Sequence, residues 1–222
     1  MRDEIVVVDY HRGNLQSMVR GLDAAGGMVA VSDDPARIAA ASGVVLPGVG
    51  AFEDAMLYLR ESGEADAVLA SIGRGVPFLG VCLGMQLLVA KGDERSAADG
   101  APSCWGGRWV PGLGVLEGSV TRLESARLKV PHVGWDQLHL SALGVQCPLL
   151  VDVPEGANVY FTHSYALDDD IPQDVICGTT HYVRSFVSVV WRDNVFGVQF
   201  HPEKSSGTGI RVLSNFVRIV NG

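Results

Sequence analysis

Cys82 lies between two glycines in the pentapeptide Gly80-Val81-Cys82-Leu83-Gly84. This is the G-x-S-x-G pattern of a nucleophile elbow, with cysteine in place of serine. An elbow turns sharply from a strand into a helix, and its glycines are needed because the backbones come too close for side chains. The N-terminus of the helix favours the thiolate, the reactive form of cysteine. The pentapeptide alone is equally typical of a buried cysteine beside a tight turn.

A histidine and a carboxylate follow a predicted strand near the end of the chain, in His201-Pro202-Glu203. Residues two apart in an extended segment point to the same side, and Pro202 favours extended backbone at His201. Glu203 would bind one ring nitrogen and leave the other facing a thiol. A cysteine paired with a distant histidine is typical of covalent acyl chemistry. We therefore predict a catalytic triad of Cys82, His201 and Glu203.

A glycine-rich loop, Pro47-Gly48-Val49-Gly50, follows another predicted strand. Its glycines would let backbone N–H groups approach a ligand, and the N–H of Leu83 would lie beside the thiol. Together these groups are candidates for an oxyanion hole. The alternative interpretation of the loop is a plain turn between a strand and a helix.

The elements that must position these residues alternate along the first half of the chain. Short apolar runs predict buried strands at 5–8, 28–31, 43–46 and 77–81, and helical spacing of apolar residues predicts helices at 15–22, 52–59 and 83–90. This alternation favours an α/β fold with a parallel sheet and helices on both faces. Further strands are predicted at 159–161, 175–180, 186–191 and 195–200, and a closing helix at 210–220. No linker divides the chain, so we predict one domain over residues 1–222.

Composition excludes several classes of protein. The 222 residues are 47% hydrophobic and carry a formal charge of −8, with no Lys/Arg cluster that would indicate nucleic-acid binding. The four cysteines are widely spaced and no signal peptide is recognisable, which argues against disulfides and a zinc site. The longest apolar stretch, 76–90, is too short to span a bilayer. The acidic run at 168–170 is typical of a solvated loop rather than a metal site. We expect a cytoplasmic protein with reduced thiols.

Three of these segments together resemble the class I (triad) glutamine amidotransferases. These segments are the loop at 47–50 and the stretches 80–86 and 197–203. They match that family in order and spacing. Other features are similar to the branch of the family that serves histidine biosynthesis: Asp9-Tyr10 with Gly13-Asn14-Leu15, Gly112-Leu113-Gly114, Pro131-His132-Val133-Gly134-Trp135, His163-Ser164-Tyr165 and Lys204-Ser205.

The resemblance implies a flavodoxin-like fold with an open, mixed, mostly parallel sheet. It implies that Cys82 attacks the amide of glutamine while His201 moves protons and ammonia is released, with no metal or organic cofactor. It assigns the oxyanion hole to Leu83, Val49 and Gly50. The glutamine contacts that it implies are Gly50, Gln86, Ser164 and Tyr165.

The same resemblance implies a partner, a cyclase subunit with a (β/α)₈ barrel that receives the ammonia within a heterodimer. Its contacts would be Asn14, His132, Tyr160 and Lys204, although the residues themselves are equally compatible with core packing or a solvated surface. Two departures from the family affect this region. His11 stands where a small residue is usual, and Asp136 stands where asparagine is usual.

Three alternative functions are compatible with parts of the sequence. One is an amidotransferase subunit of another ammonia-dependent synthase, against which the Pro131–Trp135 segment and Lys204-Ser205 argue. Another is a cysteine hydrolase, against which Gln86 and the His-Pro-Glu segment argue. The third is a catalytically silent regulatory module, which the intact set of Cys82, His201 and Glu203 disfavours.

Overall fold

Wholly apolar, β-branched runs form the central strands of the structure, a computed structural model that describes residues 4–11, 15–96 and 105–222. Within these ranges the strands are β1 Glu4–Val8, β2 Met28–Ser32, β3 Gly43–Gly48, β4 Phe78–Cys82, β5 Val89–Gly92, β6 Val110–Pro111, β7 Leu116–Arg122, β8 His132–Leu140, β9 Ala157–His163, β10 Tyr165–Leu167, β11 Ile176–His181, β12 Ser185–Arg192 and β13 Val195–Val198. The helices are α1 Leu15–Ala24, α2 Pro35–Ala40, α3 Phe52–Glu61, α4 Glu64–Gly73, α5 Leu83–Gln86 and α6 Ser206–Asn221.

The sheet has a parallel part and an antiparallel part. Strands β2, β1, β3, β4 and β13 lie side by side in that order and pair in parallel. From β13 the sheet continues through β12 and β10 to β7 by antiparallel pairing, and β11, β8 and β9 branch from β12. The predicted α/β fold with a mixed sheet is confirmed, and the parallel strands come mainly from the first half of the chain.

Helices cover both faces of the parallel strands. Neighbouring side chains of β1 are accordingly buried in two different cores. Val6 packs into a core that includes Phe52 of α3, whereas the preceding Ile5 faces a second core that includes Met18 of α1 and Phe216 of α6. Successive side chains of a strand point to opposite faces, so a run buried on both faces is wholly apolar. This arrangement leaves the carboxyl ends of β3 and β4 free to form a site at one edge of the sheet.

The helix predicted at 83–90 is wrong beyond its first turn. Helix α5 covers only Leu83–Gln86, and β5 begins at Val89. The carbonyl groups of Leu87 and Leu88 accept hydrogen bonds from the N–H groups of Leu113 (2.8 Å) and Val115 (2.9 Å), which lie distant in the chain. Tertiary pairing thus overrides the local helical periodicity, which the sequence alone could not reveal.

A tight turn joins β12 to β13 and so sets the direction of the segment that carries His201. Arg192 pairs with Val195 across the two strands, and Asp193 adopts a positive φ of 52°. The side chain of Asn194 donates hydrogen bonds to the carbonyl groups of Ile72 (3.1 Å) and Val76 (2.7 Å). These bonds attach the turn to the end of α4.

Candidate active site

The segment around Cys82 has the geometry of a nucleophile elbow. Cys82 lies between β4 and α5 with φ 55° and ψ −109°, a conformation that L residues adopt at a cost. A Cβ atom on Gly84 would come within 1.7 Å of the carbonyl oxygen of Leu46, and one on Gly80 within 2.6 Å of the carbonyl oxygen of Gly84. Both glycines are therefore required by backbone contacts, for the reason that the pentapeptide predicts.

The structure brings His201 and Glu203 together. Nδ1 of His201 lies 2.8 Å from Oε1 of Glu203, and both side chains are buried, with 5% and 4% of their surfaces exposed. His201 has extended backbone (φ −96°, ψ 98°), and Pro202 begins a single 3₁₀ turn that ends at Lys204. The N–H of His201 also donates to the carbonyl of Tyr160 at 2.9 Å. The imidazole is thus held from its side chain and from its backbone.

The charges around His201 favour its protonated form. Burial lowers the pKa of His201, but the negative charge of the Cys82 sulfur and the hydrogen-bonded carboxylate of Glu203 outweigh it and raise this pKa to about 10. The imidazolium and the thiolate stabilise each other, as in other cysteine nucleophiles paired with histidine. Cys82, His201 and Glu203 can therefore supply a nucleophile, a proton donor and an orienting carboxylate.

A cavity of about 580 Å³ opens over Cys82. It is lined by all six residues predicted for the oxyanion hole and the glutamine site, namely Val49, Gly50, Leu83, Gln86, Ser164 and Tyr165. Gly50 has φ 105°, a conformation that favours glycine, and a Cβ atom there would meet nothing within 4 Å. Glycine is therefore favoured at position 50 by the backbone conformation and not by a lack of space for a side chain.

Gln86 is held inside the wall of this cavity by its amide nitrogen. Nε2 donates to the carbonyl of Tyr165 at 2.8 Å and to Oε1 of Gln199 at 2.9 Å. A primary amide has only two N–H donors. Both are in use, so the carbonyl oxygen of Gln86 is the polar atom that remains for a ligand.

Three charged residues line the same cavity and were missed by sequence reasoning, namely Glu94, Arg95 and Arg122. Burial raises the pKa of Glu94 to about 7, although its Oε2 accepts a hydrogen bond from the N–H of Phe52 at 3.1 Å. Glu94 and Arg95 belong to a stretch rich in small and polar residues that predicts only a loop. No local signal could have identified them, because the chain must fold before this loop reaches Cys82.

Two histidines form a hydrogen-bonded pair at the cavity wall, which His163 lines. Nδ1 of His163 donates to the carbonyl of Tyr165 at 2.8 Å, and burial lowers the pKa of His163 to about 3. Neutral His163 therefore presents an unprotonated Nε2, which accepts from Nδ1 of His132 at 3.3 Å. His132 is 2% exposed and stacks against Phe161 and Tyr182. Its ring is thus enclosed rather than available as a surface contact.

Tyr160 and Lys204, which are also predicted to meet a partner, lie on β9 and in the turn after β13, close to Trp135 of β8. Trp135 packs edge-on against Tyr160, with 6.0 Å between ring centroids, and Nζ of Lys204 lies 5.8 Å from the Tyr160 ring. Val133 and Trp135, which flank the enclosed His132, are 57% and 51% exposed. Asn14 falls outside the described residues, so its prediction is untested. We call Val133, Trp135, Tyr160 and Lys204 the aromatic face.

Other predicted features have ordinary structural explanations. In the acidic run, Asp170 accepts hydrogen bonds from the N–H and Oγ of Ser119, and Asp168 accepts one from Thr121. Cys147 and Cys177 are buried, whereas Cys104 lies outside the described ranges. Over residues 4–11, 15–96 and 105–222, no cluster of His, Cys, Asp or Glu is arranged to hold a metal ion. No helix in the same ranges is long and apolar enough to cross a membrane.

The fold matches solved amidotransferase structures. The chain is similar to PurLQS from Thermotoga maritima (TM-score 0.72, 18% identity, covering 99% of each chain). It is also similar to a glutamine amidotransferase from the same organism (TM-score 0.60, 18% identity, covering 91% of this chain and 77% of that one). At this identity the likeness concerns the fold only.

Curated sequences are much more similar. The chain is 45% identical over 214 residues to the imidazole glycerol phosphate synthase subunit HisH of Gloeobacter violaceus, covering 96% of this chain and 88% of that protein. It is 45% identical over 218 residues to the protein of the same name from Moorella thermoacetica, covering 97% and 95%. The family model described as glutamine amidotransferase class-I matches residues 6–220. The chain therefore belongs to the class-I glutamine amidotransferase family.

Proposed function

We propose that this chain, acting as one domain over residues 1–222, is the glutamine-hydrolysing subunit of imidazole glycerol phosphate synthase. The observation that carries the proposal is the position of Cys82 at an elbow that opens into a cavity, with His201 and Glu203 hydrogen-bonded behind it. The two curated relatives of that name, 45% identical over nearly the whole chain, support the choice of this synthase within the family.

The chemistry would proceed by acyl transfer to Cys82. The thiolate attacks the side-chain carbonyl carbon of L-glutamine, and backbone N–H groups of Leu83, Val49 and Gly50 stabilise the oxyanion. His201 donates its proton to the departing nitrogen, so that ammonia leaves and a glutamyl thioester remains. His201 then takes a proton from water, whose oxygen attacks the thioester and releases glutamate. Glu203 keeps the imidazole in orientation through both steps.

The cavity wall offers complementary groups for the rest of glutamine. The carbonyl oxygen of Gln86 can accept from an N–H of the substrate, since its own N–H groups are already bonded. Ser164 and Tyr165 would contact the amino-acid end, as the family resemblance implies. We add Glu94 as the partner of the α-ammonium group, because its carboxylate lines the same cavity.

The released ammonia would pass to a cyclase subunit with a (β/α)₈ barrel, and a heterodimer in the cytoplasm is part of this proposal. The aromatic face supports it, because an exposed Trp ring packed against a partly buried Tyr ring beside a lysine is typical of a protein interface. Asn14 stays a predicted contact. His132 would act by supporting the exposed Val133 and Trp135 rather than by touching the partner.

The test measures glutamate release by the chain alone, and then with the barrel cyclase and its nucleotide ligand. We expect weak activity alone, strong activation by the liganded partner, and loss of activity in Cys82→Ser. Cys147→Ser is the matched control, because Cys147 is also a buried cysteine but does not line the cavity.

Two results would contradict the proposal in different ways. Strong glutaminase activity without any effect of the cyclase would keep the chemistry but indicate another ammonia-dependent synthase. A folded protein with no glutaminase activity under either condition would favour the regulatory-module alternative.

A further inference from the structure

Gln199 is buried beside the candidate active site, but it belongs neither to the triad nor to the predicted glutamine contacts. It directly follows β13 and is 0% exposed. Its backbone N–H donates to the carbonyl of Ser188 at 2.9 Å, which continues the pairing with β12. The amide end of the Gln199 side chain lies 3.5 Å from the sulfur of Cys82.

Hydrogen bonds fix the orientation of the Gln199 amide. The carbonyl of Tyr165 can only accept, so the atom of Gln86 that faces it must be the nitrogen. That same nitrogen faces Gln199, which must present its oxygen there, at 2.9 Å. The nitrogen of Gln199 is then left to face the sulfur of Cys82, at 3.5 Å. The chain of bonds runs from Tyr165 through both amides to the thiol.

An N–H donor aimed at sulfur favours the thiolate over the thiol. A hydrogen bond to the charged form of a group stabilises that form, and the effect is stronger where water is excluded. Gln199 and Cys82 are both buried. The sulfur would thus be stabilised by the amide N–H of Gln199 and by the charge of the neighbouring imidazolium of His201, while the carbonyl of Thr162 lies 3.9 Å from it.

We propose that Gln199 is a positioning residue that holds the Cys82 thiolate in line with the cavity and stabilises its negative charge. This inference deepens the proposed function and rests on it, because it assumes that Cys82 is the nucleophile. A purely structural role for Gln199 would be to fill space and to accept the bond from Gln86. That role would not change the ionisation of Cys82.

Gln199→Glu separates the two roles. Glutamate keeps the shape of the side chain and an oxygen for Gln86, but it places an oxygen instead of an N–H against the sulfur. The rate at which iodoacetamide modifies Cys82 would be followed by mass spectrometry of the Cys82 peptide from about pH 4 to about pH 10. We expect the pH midpoint of this reaction to rise by about one to two units, because a like charge and a lost donor both disfavour the thiolate.

Asn215→Asp is the matched control. Asn215 of α6 is another buried amide, and it donates to the carbonyl groups of Leu149 (2.9 Å) and Val151 (2.8 Å) rather than to the thiol. Like Gln199→Glu, this substitution replaces a buried amide by a carboxyl group, so it should lower the stability of the fold by a comparable amount. We expect it to lower stability while leaving the pH midpoint of Cys82 modification in place.

Glutamine turnover provides a second readout. Gln199→Glu should lower kcat at neutral pH by about tenfold or more, with recovery toward alkaline pH, while KM changes little because Gln86 keeps its bond to residue 199. If Gln199→Glu does not fold, Gln199→Met is measured instead. Methionine removes the donor without adding charge, so the midpoint should rise by about half a unit to one unit.

A folded Gln199→Glu or Gln199→Met protein with an unchanged pH midpoint would overturn the inference. Alkylation requires neither glutamine nor the cyclase, so this result is distinguishable from a failure of the proposed function. An unchanged midpoint in a protein that still hydrolyses glutamine rejects only the role of Gln199. A shifted midpoint in the variants, together with a wild-type protein that has no glutaminase activity even with the liganded cyclase, would uphold the effect on the thiolate and reject the proposed function.

Discussion

Glu203 and Glu64 are both buried carboxylic acids, but in the part of the chain that the structure describes only Glu203 has a hydrogen-bond partner for its carboxyl group. The side chain of Glu203 is 4% exposed and bonds to His201 at 2.8 Å. Glu64 begins α4 and is 0% exposed, and within the described residues neither of its carboxyl oxygens has a hydrogen-bond partner. Burial, followed by the charges of Asp33 and Asp9, raises the pKa of Glu64 to about 8.

The difference shows what a buried carboxyl group needs in order to act as a charge. A position at a helix N-terminus stabilises a carboxylate by only about 0.3–1 kcal/mol, which is less than the penalty of burying an unpaired charge. Glu64 is therefore held neutral at pH 7 despite its favourable place in the helix. Glu203 has a cationic partner, since the pKa of His201 is raised to about 10. Pairing, rather than burial, distinguishes the carboxyl group that can take part in catalysis.

The largest effect is expected from removing the charge of the paired carboxylate. In Glu203→Gln the amide can present an N–H to Nδ1 of His201, which would favour the wrong tautomer and remove the stabilisation of the imidazolium. We expect kcat for glutamine hydrolysis to fall by about 10²–10⁴-fold in the presence of the cyclase. A loss smaller than about twofold would mean that the pairing is only structural.

A large effect on stability is expected from the unpaired carboxyl group. The pKa of Glu64 is about 8 in the folded protein and near its ordinary value of 4.5 when unfolded, so the folded state holds one more proton between these values. Stability from Glu64 is therefore present at acidic pH and is lost as the pH rises from about 4.5 to about 8, by roughly 3–5 kcal/mol. Urea unfolding at about pH 5, 7 and 8.5 should show this loss in the wild type and a much flatter dependence in Glu64→Gln.

The control for that experiment is Glu61→Gln, a change at an exposed position three residues earlier. It should leave the pH dependence of the wild type intact. Equal slopes for Glu64→Gln and the wild type would show that the buried carboxyl group does not bind the additional proton.

A moderate effect is expected at Glu94, which is partly buried and whose proposed cationic partner is the substrate itself. If its carboxylate holds the α-ammonium group, Glu94→Gln should raise KM for glutamine about tenfold with a smaller change in kcat, since a hydrogen bond to a charged group contributes about 1.5–3 kcal/mol. The pKa of Glu94 is about 7, so KM of the wild type should fall as the pH rises from about 6 to about 8. In the variant this dependence should disappear, and a KM equal to that of the wild type at about pH 8 would reject the contact.

The smallest effect is expected at Glu53, which forms an ion pair with the partly exposed Arg95. Glu53 lies 3.3 Å from Arg95 and accepts from the N–H of Ser96 at 2.9 Å. Glutamine can still accept the bond from Ser96, and ion pairs with an exposed partner contribute about 0–1 kcal/mol. Glu53→Gln should therefore lower the free energy of unfolding by less than about 1 kcal/mol. A loss as large as that for an unpaired buried charge would show that Arg95 is held more rigidly than its exposure indicates.

Features that depend on local backbone geometry could be predicted from the residues alone. The glycines on both sides of Cys82 predicted the elbow because a tight turn between a strand and a helix excludes side chains whatever the rest of the chain does. The two-residue spacing of His201 and Glu203 also predicted their contact, although Glu203 lies in a 3₁₀ turn rather than in the extended backbone that the prediction assumed. Apolar runs and helical spacing predicted β1 to β4, α1 and α3, whereas α2 and α4 were not predicted.

Features that depend on segments far apart in the chain became visible only in the folded molecule. The helix after Cys82 ends at Gln86 because the next residues pair with a segment beyond residue 110. Gln199 reaches Gln86 across 113 positions and Cys82 across 117, so no local pattern could show that these side chains meet. The enclosure of His132 and the position of Glu94 in the cavity also arise from packing between strands and loops. Residue type and spacing specify conformation within a few residues, whereas burial and long-range hydrogen bonds exist only once the sheet has assembled.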